Sequence, residues 1–142
     1  MKISIACDHG AVAQKNLIAE HLRKQGHEVL DFGTHTTDSC DYPDFGHAAA
    51  QAVADGRCER GVVICTTGIG ISISANKVDG IRCALCSEPF SVEMTRRHND
   101  ANVVAMGAGL IGKNMAERIV ETFLNTEFEG GRHQRRVDKL EV

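Results

Sequence analysis

The stretch from Cys65 to Ser72 places a thiol, three hydroxyls and two glycines within eight residues, reading Cys-Thr-Thr-Gly-Ile-Gly-Ile-Ser. Glycines let a backbone approach a ligand closely, and a helix that begins there presents unpaired N–H groups to an anion. A thiol beside such a helix end can act as a nucleophile or a base. A tight turn that binds nothing is the alternative, but the thiol and its neighbouring hydroxyls favour an anion-binding loop with Cys65 at the catalytic centre.

Three further groups of polar residues could take part in the same chemistry. Asp8-His9 follows an apolar run and could supply an acid/base pair and a phosphate contact, or only cap the next helix. His98-Asn99 could move a proton and orient a hydroxyl, or form a polar turn. Arg132 and Arg136 would share one face of a helix and could hold one phosphate. The alternatives for these arginines are a solvated basic terminus and part of a dimer interface.

The elements that must position these groups alternate along the chain. Strands are predicted over 2–7, 27–32, 61–65, 81–85 and 102–106, and helices over 11–25, 45–55, 71–77, 87–97 and 113–124. This alternation predicts an α/β fold, a Rossmann-like three-layer αβα sandwich with a five-stranded parallel sheet. Residues 33–44 read as a loop. In such a sheet, ligands bind beyond the carboxyl ends of the strands, where Asp8-His9 and Cys65 are expected.

Length and composition set the remaining limits. The 142 residues suit one domain, 1–142, with a polar C-terminal arm from about 126. A net charge of −3 gives no general attraction to nucleic acid or to a membrane. No signal peptide or membrane-spanning run is visible, so we expect a cytoplasmic protein whose six cysteines are free thiols.

Cofactor-binding patterns are incomplete in this sequence. The Cys83-Ala84-Leu85-Cys86 run has no second ligand pair at similar spacing, so we predict no metal. The glycine loop follows the third strand instead of the first and lacks a third glycine, which argues against a dinucleotide. No organic cofactor is therefore expected.

Taken together, the four groups resemble the ribose-5-phosphate isomerase B family, within the wider ribose/galactose isomerase group. The likeness runs nearly end to end, and the order and spacing of its motifs are specific. The motifs are Cys7-Asp8-His9-Gly10, Asp41-Tyr42-Pro43, Cys65-x-Thr67-Gly68-x-Gly70-Ile71-Ser72-Ile73, Ala75-Asn76-Lys77, Ser87-Glu88-Pro89, Arg97-His98-Asn99-Asp100-x-Asn102 and Phe128-Glu129-Gly130-Gly131-Arg132-His133-Gln134-x-Arg136.

The resemblance implies an aldose–ketose isomerase of sugar phosphates, acting on ribose 5-phosphate through an enediolate without metal or cofactor. Cys65 would move a proton between C1 and C2 of the open-chain sugar, with Thr67 assisting. Further substrate contacts in the same motif would come from Thr66, Gly68, Ile69, Gly70 and Ser72.

The resemblance also implies roles for the other groups. His98, with Asp8, would open the furanose ring, and Asn99 would bind sugar oxygens. The phosphate would be held by His9, Arg132 and Arg136. The family works as a homodimer with shared active sites, in which the His98-Asn99 segment reaches the site of the neighbouring subunit.

One position departs from the family pattern. Members of the family usually carry an arginine shortly after the fifth strand that contributes to phosphate binding across the dimer, whereas this chain has Gly109. Arg97 and Arg135 are candidates to replace it. The departure leaves open another substrate, such as a tetrose, allose or galactose phosphate, or a non-catalytic sugar-phosphate-binding subunit.

Overall fold

The computed structural model describes residues 1–142 and contains one five-stranded parallel sheet. Its strands are β1 (Lys2–Cys7), β2 (Glu28–Asp31), β3 (Arg60–Cys65), β4 (Cys83–Leu85) and β5 (Val103–Gly107), in the order β2-β1-β3-β5-β4. Every neighbouring pair runs parallel. The inner strands β1, β3 and β5 are almost continuously apolar and buried, because helices cover both faces of the sheet.

Six helices alternate with and follow the strands. They are α1 (Val12–Lys24), α2 (Tyr42–Ala54), α3 (Ile69–Asn76), α4 (Pro89–Asn99), α5 (Lys113–Asn125) and α6 (Arg132–Leu140). Apolar residues of α1, α4 and α5 pack on one face of the sheet, and those of α2 and α3 pack on the other. The predicted three-layer αβα architecture is therefore confirmed. None of the helices combines the length and the apolar character needed to cross a bilayer.

Two helices begin earlier than the sequence pattern predicts. The α2 helix begins at Tyr42 instead of residue 45, because Pro43 occupies its first turn, where a missing N–H needs no partner. The α3 helix begins at Ile69 instead of residue 71, directly after Gly68, whose left-handed backbone ends the preceding loop. In both cases a residue read as part of a loop stands at the start of a helix.

Two further elements differ from the prediction. The β4 strand is limited to Cys83–Leu85, since the N–H of Arg82 donates to the side chain of Asn102 at 2.8 Å. The polar arm contains the helix α6. The sequence predicts a helix there only as the condition under which Arg132 and Arg136 would share one face. Its two buried residues, His133 and Val137, lie four positions apart and form a narrow stripe that faces α4.

The glycine loop lies at the point where the order of the strands in the sheet reverses. From β1 the chain first moves outward to β2 and then returns to β3 on the other side of β1. The carboxyl ends of β1 and β3 are therefore adjacent, with Asp8 following one and Thr66 following the other. Open parallel sheets bind their ligands at such a switch point.

Candidate active site

Cys65 ends β3, and the following loop folds back over its sulfur. The residue is 5 % exposed, and its Sγ accepts a hydrogen bond from the N–H of Gly68 at 3.1 Å. The Oγ1 of Thr67 accepts from the N–H of Ile69 at 3.2 Å. The loop therefore aims a backbone N–H donor at the sulfur of Cys65.

Close packing requires the two glycines of this loop. Gly68 has φ +78°, and a Cβ there would lie 2.5 Å from Cδ1 of Leu85. A Cβ on Gly70 would lie 2.7 Å from the ring of Tyr42. The N–H groups of Gly70 and Ile71, in the first turn of α3, have no partner within the chain. Because they lie at the positive end of the α3 dipole, they form a binding site for an anion.

Ser72 is buried, and its hydrogen-bonding groups are used inside α3. Its hydroxyl donates to the carbonyl of Ile69 at 2.7 Å, and its N–H donates to the carbonyl of Gly68 at 3.1 Å. These bonds stabilise the first turn of the helix and the path of the loop. Direct contact between Ser72 and a substrate stays a prediction.

The Asp8 carboxylate packs against the glycine loop. It is 8 % exposed, and its Oδ1 accepts from the N–H of Gly10 at 2.9 Å. A Cβ on Gly10 would lie 2.4 Å from Oγ1 of Thr66 and 3.3 Å from Oδ1 of Asp8. The carboxylate and the hydroxyl therefore border the same small space at the switch point.

His9 is oriented by the loop that precedes α2. Its Nδ1 accepts a hydrogen bond from the N–H of Cys40 at 3.2 Å. A neutral ring that accepts at Nδ1 carries its proton on Nε2. His9 thus presents an N–H donor beside Asp8, as a phosphate contact requires.

The other predicted residues lie at the opposite edge of the sheet. The β3–β5 ladder runs from Gly61 opposite Val103 to Cys65 opposite Gly107, and His98-Asn99 precedes β5. The four residue steps of this ladder rise about 13 Å along the strands. Within one chain, the structure therefore separates His98 and Asn99 from Cys65 by the length of the sheet.

At that edge, His98 belongs to a cluster of side chains. Its ring stacks on His133, with centroids 4.3 Å apart and 9° between the planes. A carboxylate oxygen of Glu129 lies 3.9 Å from Nε2 of His98 and the other lies 3.6 Å from Nε2 of His133. Burial, the charge of His98 and the charge of Arg132 lower the pKa of His133. The sequence reading left His133 out of the site, although it stands beside Arg132 in the same motif.

The two arginines of the arm lie on α6 beside this cluster. Arg132 and Arg136 are exposed, one helical turn apart, and neither takes part in an ion pair within the chain. Arg97, a candidate replacement for the missing phosphate contact, is already paired with Glu93 at 3.1 Å and with Glu129. Arg97 is therefore not free to bind a substrate phosphate in this arrangement.

His98, Glu129 and His133 also bring three metal-ligating atoms within 4.8 Å of one another. The surroundings do not favour a cation, because Arg132 and Arg136 add positive charge to the cluster and an arginine already binds Glu129. Imidazole and guanidinium groups together favour an anion such as a phosphate. That the protein works without metal stays a prediction.

A cleft of about 270 Å³ opens beside the glycine loop. It is bordered by side chains that include large exposed apolar groups, among them Leu110, which is 68 % exposed. Ile69 and Leu85, also exposed, belong to the same apolar rim. Apolar groups concentrated around a cleft are typical of a surface that contacts another molecule.

Gly109 lies next to the glycine loop. Its N–H donates to the carbonyl of Thr66 at 2.9 Å, and a Cβ there would lie 3.1 Å from the same oxygen. A side chain at this position would begin beside Thr66 after a small adjustment. The position therefore borders Thr66 of its own chain, and a phosphate contact from this position across a dimer stays a prediction.

The fold and these groups define a class of protein. It is a parallel α/β protein that carries a thiol, a carboxylate and unpaired N–H groups at the switch point, and imidazole and guanidinium groups at the other edge. Such groups can transfer protons on a small anionic substrate and can stabilise the negative charge that develops on it.

Comparison with known proteins gives the family. The family described as Ribose/Galactose Isomerase matches residues 3–140, and the chain belongs to this family of isomerases. It is 46 % identical to ribose-5-phosphate isomerase B of Escherichia coli, over 98 % of this chain and 93 % of that protein. It is 40 % identical to D-erythrulose-4-phosphate isomerase of Pectobacterium atrosepticum, over 99 % of this chain and 93 % of that protein.

A solved structure shows the same fold. Ribose-5-phosphate isomerase B of Clostridium thermocellum is 54 % identical, and the superposition covers 99 % of this chain and 95 % of that chain with a TM-score of 0.98. The fold predicted from the sequence and the family predicted from its motifs are both confirmed.

Proposed function

We propose that this protein interconverts ribose 5-phosphate and ribulose 5-phosphate through an enediolate. The observation that carries the proposal is the Cys65 sulfur at the switch point, 3.1 Å from the N–H of Gly68 and beside the unpaired N–H groups of Gly70 and Ile71. A base and a binding site for an oxyanion are the two groups that this reaction needs on one side of the sugar.

The Cys65 thiolate takes the proton from C2 of the open-chain aldose. The electron pair of that C–H bond forms the C1–C2 double bond, and the carbonyl pair moves to O1, which gives the enediolate. The loop N–H groups stabilise this charge, and Thr67 and Thr66 contact the sugar oxygens. The thiol then returns the proton to C1 while O2 becomes the ketone oxygen after its own proton passes to O1.

We propose that the working unit is a homodimer in which each site takes residues from both copies. Support comes from the separation of His98 and Asn99 from Cys65 within one chain, and from the exposed apolar rim of the cleft. His98 of a second copy opens the furanose ring with Asp8, and Asn99 of that copy binds the sugar oxygens. An apolar rim of this kind stabilises such a contact by burial.

The phosphate is held at a distance from the reacting carbons. His9 contributes its Nε2–H. Arg132 and Arg136 have no ion-pair partner within the chain, and those of the second copy, which lie beside its His98, contribute guanidinium groups. Remote phosphate binding positions C1 and C2 against Cys65. The reaction uses no metal or organic cofactor, and the free state of all six cysteines fits a cytoplasmic location.

The test is turnover of ribose 5-phosphate by the purified protein in the presence of a chelator. We expect conversion to ribulose 5-phosphate, and a loss of about a thousandfold or more in kcat for Cys65→Ala at unchanged thermal stability. Cys58→Ala, at a buried cysteine that lies just before β3 and so at the other end of that strand from Cys65, is the matched control and keeps its activity. Full activity of Cys65→Ala would contradict the role of this thiol.

A second candidate is isomerisation of another aldose phosphate, and Gly109 favours it. The family arginine is missing at a position that borders Thr66, so ribose 5-phosphate has one phosphate contact fewer. A panel of tetrose, pentose, allose and galactose phosphates distinguishes the candidates by kcat/KM. Binding of these compounds without any turnover would instead indicate a non-catalytic sugar-phosphate-binding subunit.

A further inference from the structure

Lys15 is a buried charge that the proposed reaction does not use. Its side chain is 0 % exposed, and its Nζ donates to both carboxylate oxygens of Asp31, at 3.0 and 2.8 Å. The same nitrogen donates to the carbonyl of Thr34 at 2.9 Å and lies 3.3 Å from Nδ1 of His35. A buried ion pair gives little net stability compared with well-packed apolar residues, so its position indicates another role.

The ion pair fixes the beginning of the segment 33–40. Oδ1 of Asp31 also accepts from the N–H of Gly33 at 2.8 Å. The N–H of Thr34 donates to the carbonyl of Cys7 at 2.8 Å, and the N–H of Cys7 donates to the carbonyl of Gly33 at 2.6 Å. The segment is thus attached at its start to the end of β1 and, through Lys15, to α1.

The other end of the same segment reaches His9. The N–H of Cys40 donates to Nδ1 of His9 at 3.2 Å, and the Cys40 sulfur lies 3.7 Å from that nitrogen. This contact sets both the orientation of the ring and the position of its proton on Nε2. His9 offers that proton toward the substrate only while Cys40 keeps its place.

We propose that the Lys15–Asp31 ion pair is a positioning device for the phosphate contact of His9 and acts through the segment 33–40. The inference rests on the proposed function, in which His9 binds the substrate phosphate. Lys15 and Asp31 do not touch the substrate. Without the pair, the start of the segment keeps its backbone bonds to Cys7 but loses its attachment to α1. Cys40 then moves away from His9, and the imidazole samples both tautomers. Phosphate binding then weakens, whereas proton transfer at the next strand continues.

The test uses the double variant Lys15→Met/Asp31→Asn in the full chain. It removes both charges together and keeps an oxygen for the N–H of Gly33, so no unpaired charge stays buried. We expect the KM for ribose 5-phosphate to rise about tenfold while kcat changes less than about threefold. We also expect ¹⁵N NMR of the His9 ring to change from one tautomer to a mixture.

The matched control lies on the same helix. Glu20 and Lys24 form an exposed ion pair at 3.1 Å in α1, and Lys24→Met/Glu20→Gln makes the same kind of change away from the segment. Both KM and the His9 tautomer are expected to stay unchanged. If the first double variant does not fold, Lys15→Gln/Asp31→Asn, which also leaves no unpaired charge and keeps polar groups at both positions, is measured in the same way.

His9→Ala separates this inference from the proposed function. If both are correct, His9→Ala raises KM to a similar extent, and adding it to the Lys15/Asp31 double variant produces no further increase. An unchanged KM in His9→Ala would overturn the phosphate role of His9. A raised KM in His9→Ala together with an unchanged KM and a single tautomer in the double variant would overturn the positioning role alone.

Discussion

The two halves of the proposed site lie at opposite edges of the sheet: the carboxyl edge, where the strands end, and the amino edge, where they begin. Different contacts hold the two halves in place. At the carboxyl edge the contacts come from the backbone, with the N–H of Gly68 on the sulfur of Cys65. At the amino edge they come from side chains, with His98 stacked on His133 and both facing Glu129. A backbone contact is fixed by the path of the chain, whereas stacked and ion-paired side chains can rearrange.

This difference fits the tasks of the two halves. Charge on an enediolate is stabilised best by donors that do not have to reorganise, as the loop N–H groups provide. Ring opening and phosphate binding need groups that can accept or release a proton and adjust to the substrate. Under the proposed function, we therefore expect the backbone donors of the carboxyl edge to govern proton transfer. We expect the side chains of the amino edge to govern ring opening and to share phosphate binding with His9.

Among changes that leave Cys65 in place, the largest expected effect comes from Gly68→Ala, which disturbs the backbone contacts of the carboxyl edge. The new Cβ meets Leu85 at 2.5 Å and the residue is held at φ +78°, so the loop shifts away from Cys65. We expect kcat to fall by about a hundredfold or more. Gly26→Ala is the matched control, with φ +90° and no atom within 4 Å of its Cβ. It has the same kind of strain, and we expect it to lower the melting temperature while kcat stays unchanged.

A smaller effect is expected from Arg132→Met/Arg136→Met, which removes two phosphate-binding side chains of the amino edge. Two charge-assisted hydrogen bonds to the phosphate are lost, so the KM for ribose 5-phosphate should rise by about a hundredfold. kcat should change far less, because the loop at Cys65 is untouched. Lys139→Met removes an exposed positive charge of the same helix and is the control. An equal rise in KM for Lys139→Met would show that general positive charge, not these two positions, binds the phosphate.

Gly109→Arg tests the side-chain contacts in the opposite direction, because it adds a guanidinium group for the phosphate. A Cβ at this position would lie 3.1 Å from the Thr66 carbonyl oxygen, so the neighbouring chain must move by a few tenths of an ångström to accept it. If ribose 5-phosphate is the substrate, we expect its KM to fall by about threefold to tenfold. A lower KM for ribose 5-phosphate together with a loss on a shorter or longer aldose phosphate would identify the second sugar as the natural one.

The smallest expected effect concerns pH and the His98–His133 stack. The pKa of His133 is lowered in the folded protein by burial and by the positive charges of His98 and Arg132. A lowered folded pKa means that the unfolded chain binds more protons, so this histidine makes stability decrease as pH falls below about 6.5, its unperturbed pKa. Chemical denaturation from pH 8 to pH 5 should show a shallower loss of stability in His133→Gln than in the wild type. Parallel curves would contradict this role.

Much of the carboxyl edge could be predicted from the sequence, because its chemistry depends on local order along the chain. A strand, a cysteine, spaced glycines and a helix start are adjacent between Arg60 and Asn76, and the structure places them as one continuous unit. Glycine at positions 68 and 70 already indicates a backbone that packs closely or adopts an unusual conformation. Such local patterns can be read without knowing which distant residues the fold brings together.

The amino edge and the Lys15 network could not be predicted in the same way. The stacking of His98 on His133 joins two helices, and a polar arm with only two buried residues gives a weak helical pattern. Lys15 lies in a stretch of α1 with mostly polar neighbours and reads as a surface residue, yet it is fully buried. Its burial depends on Asp31 and Thr34, which are brought to it only by the fold.

The central claim is that each active site takes residues from both copies of a dimer. Its most direct test is complementation between two inactive variants in one dimer. Cys65→Ala removes the base at one edge, and His98→Asn removes the ring-opening group at the other. If each site combines Cys65 of one copy with His98 of the other, a mixed dimer contains one intact site. Equal mixing after unfolding and refolding should then restore about a quarter of wild-type turnover. No recovery, in a mixture shown to contain mixed dimers, would contradict a shared site.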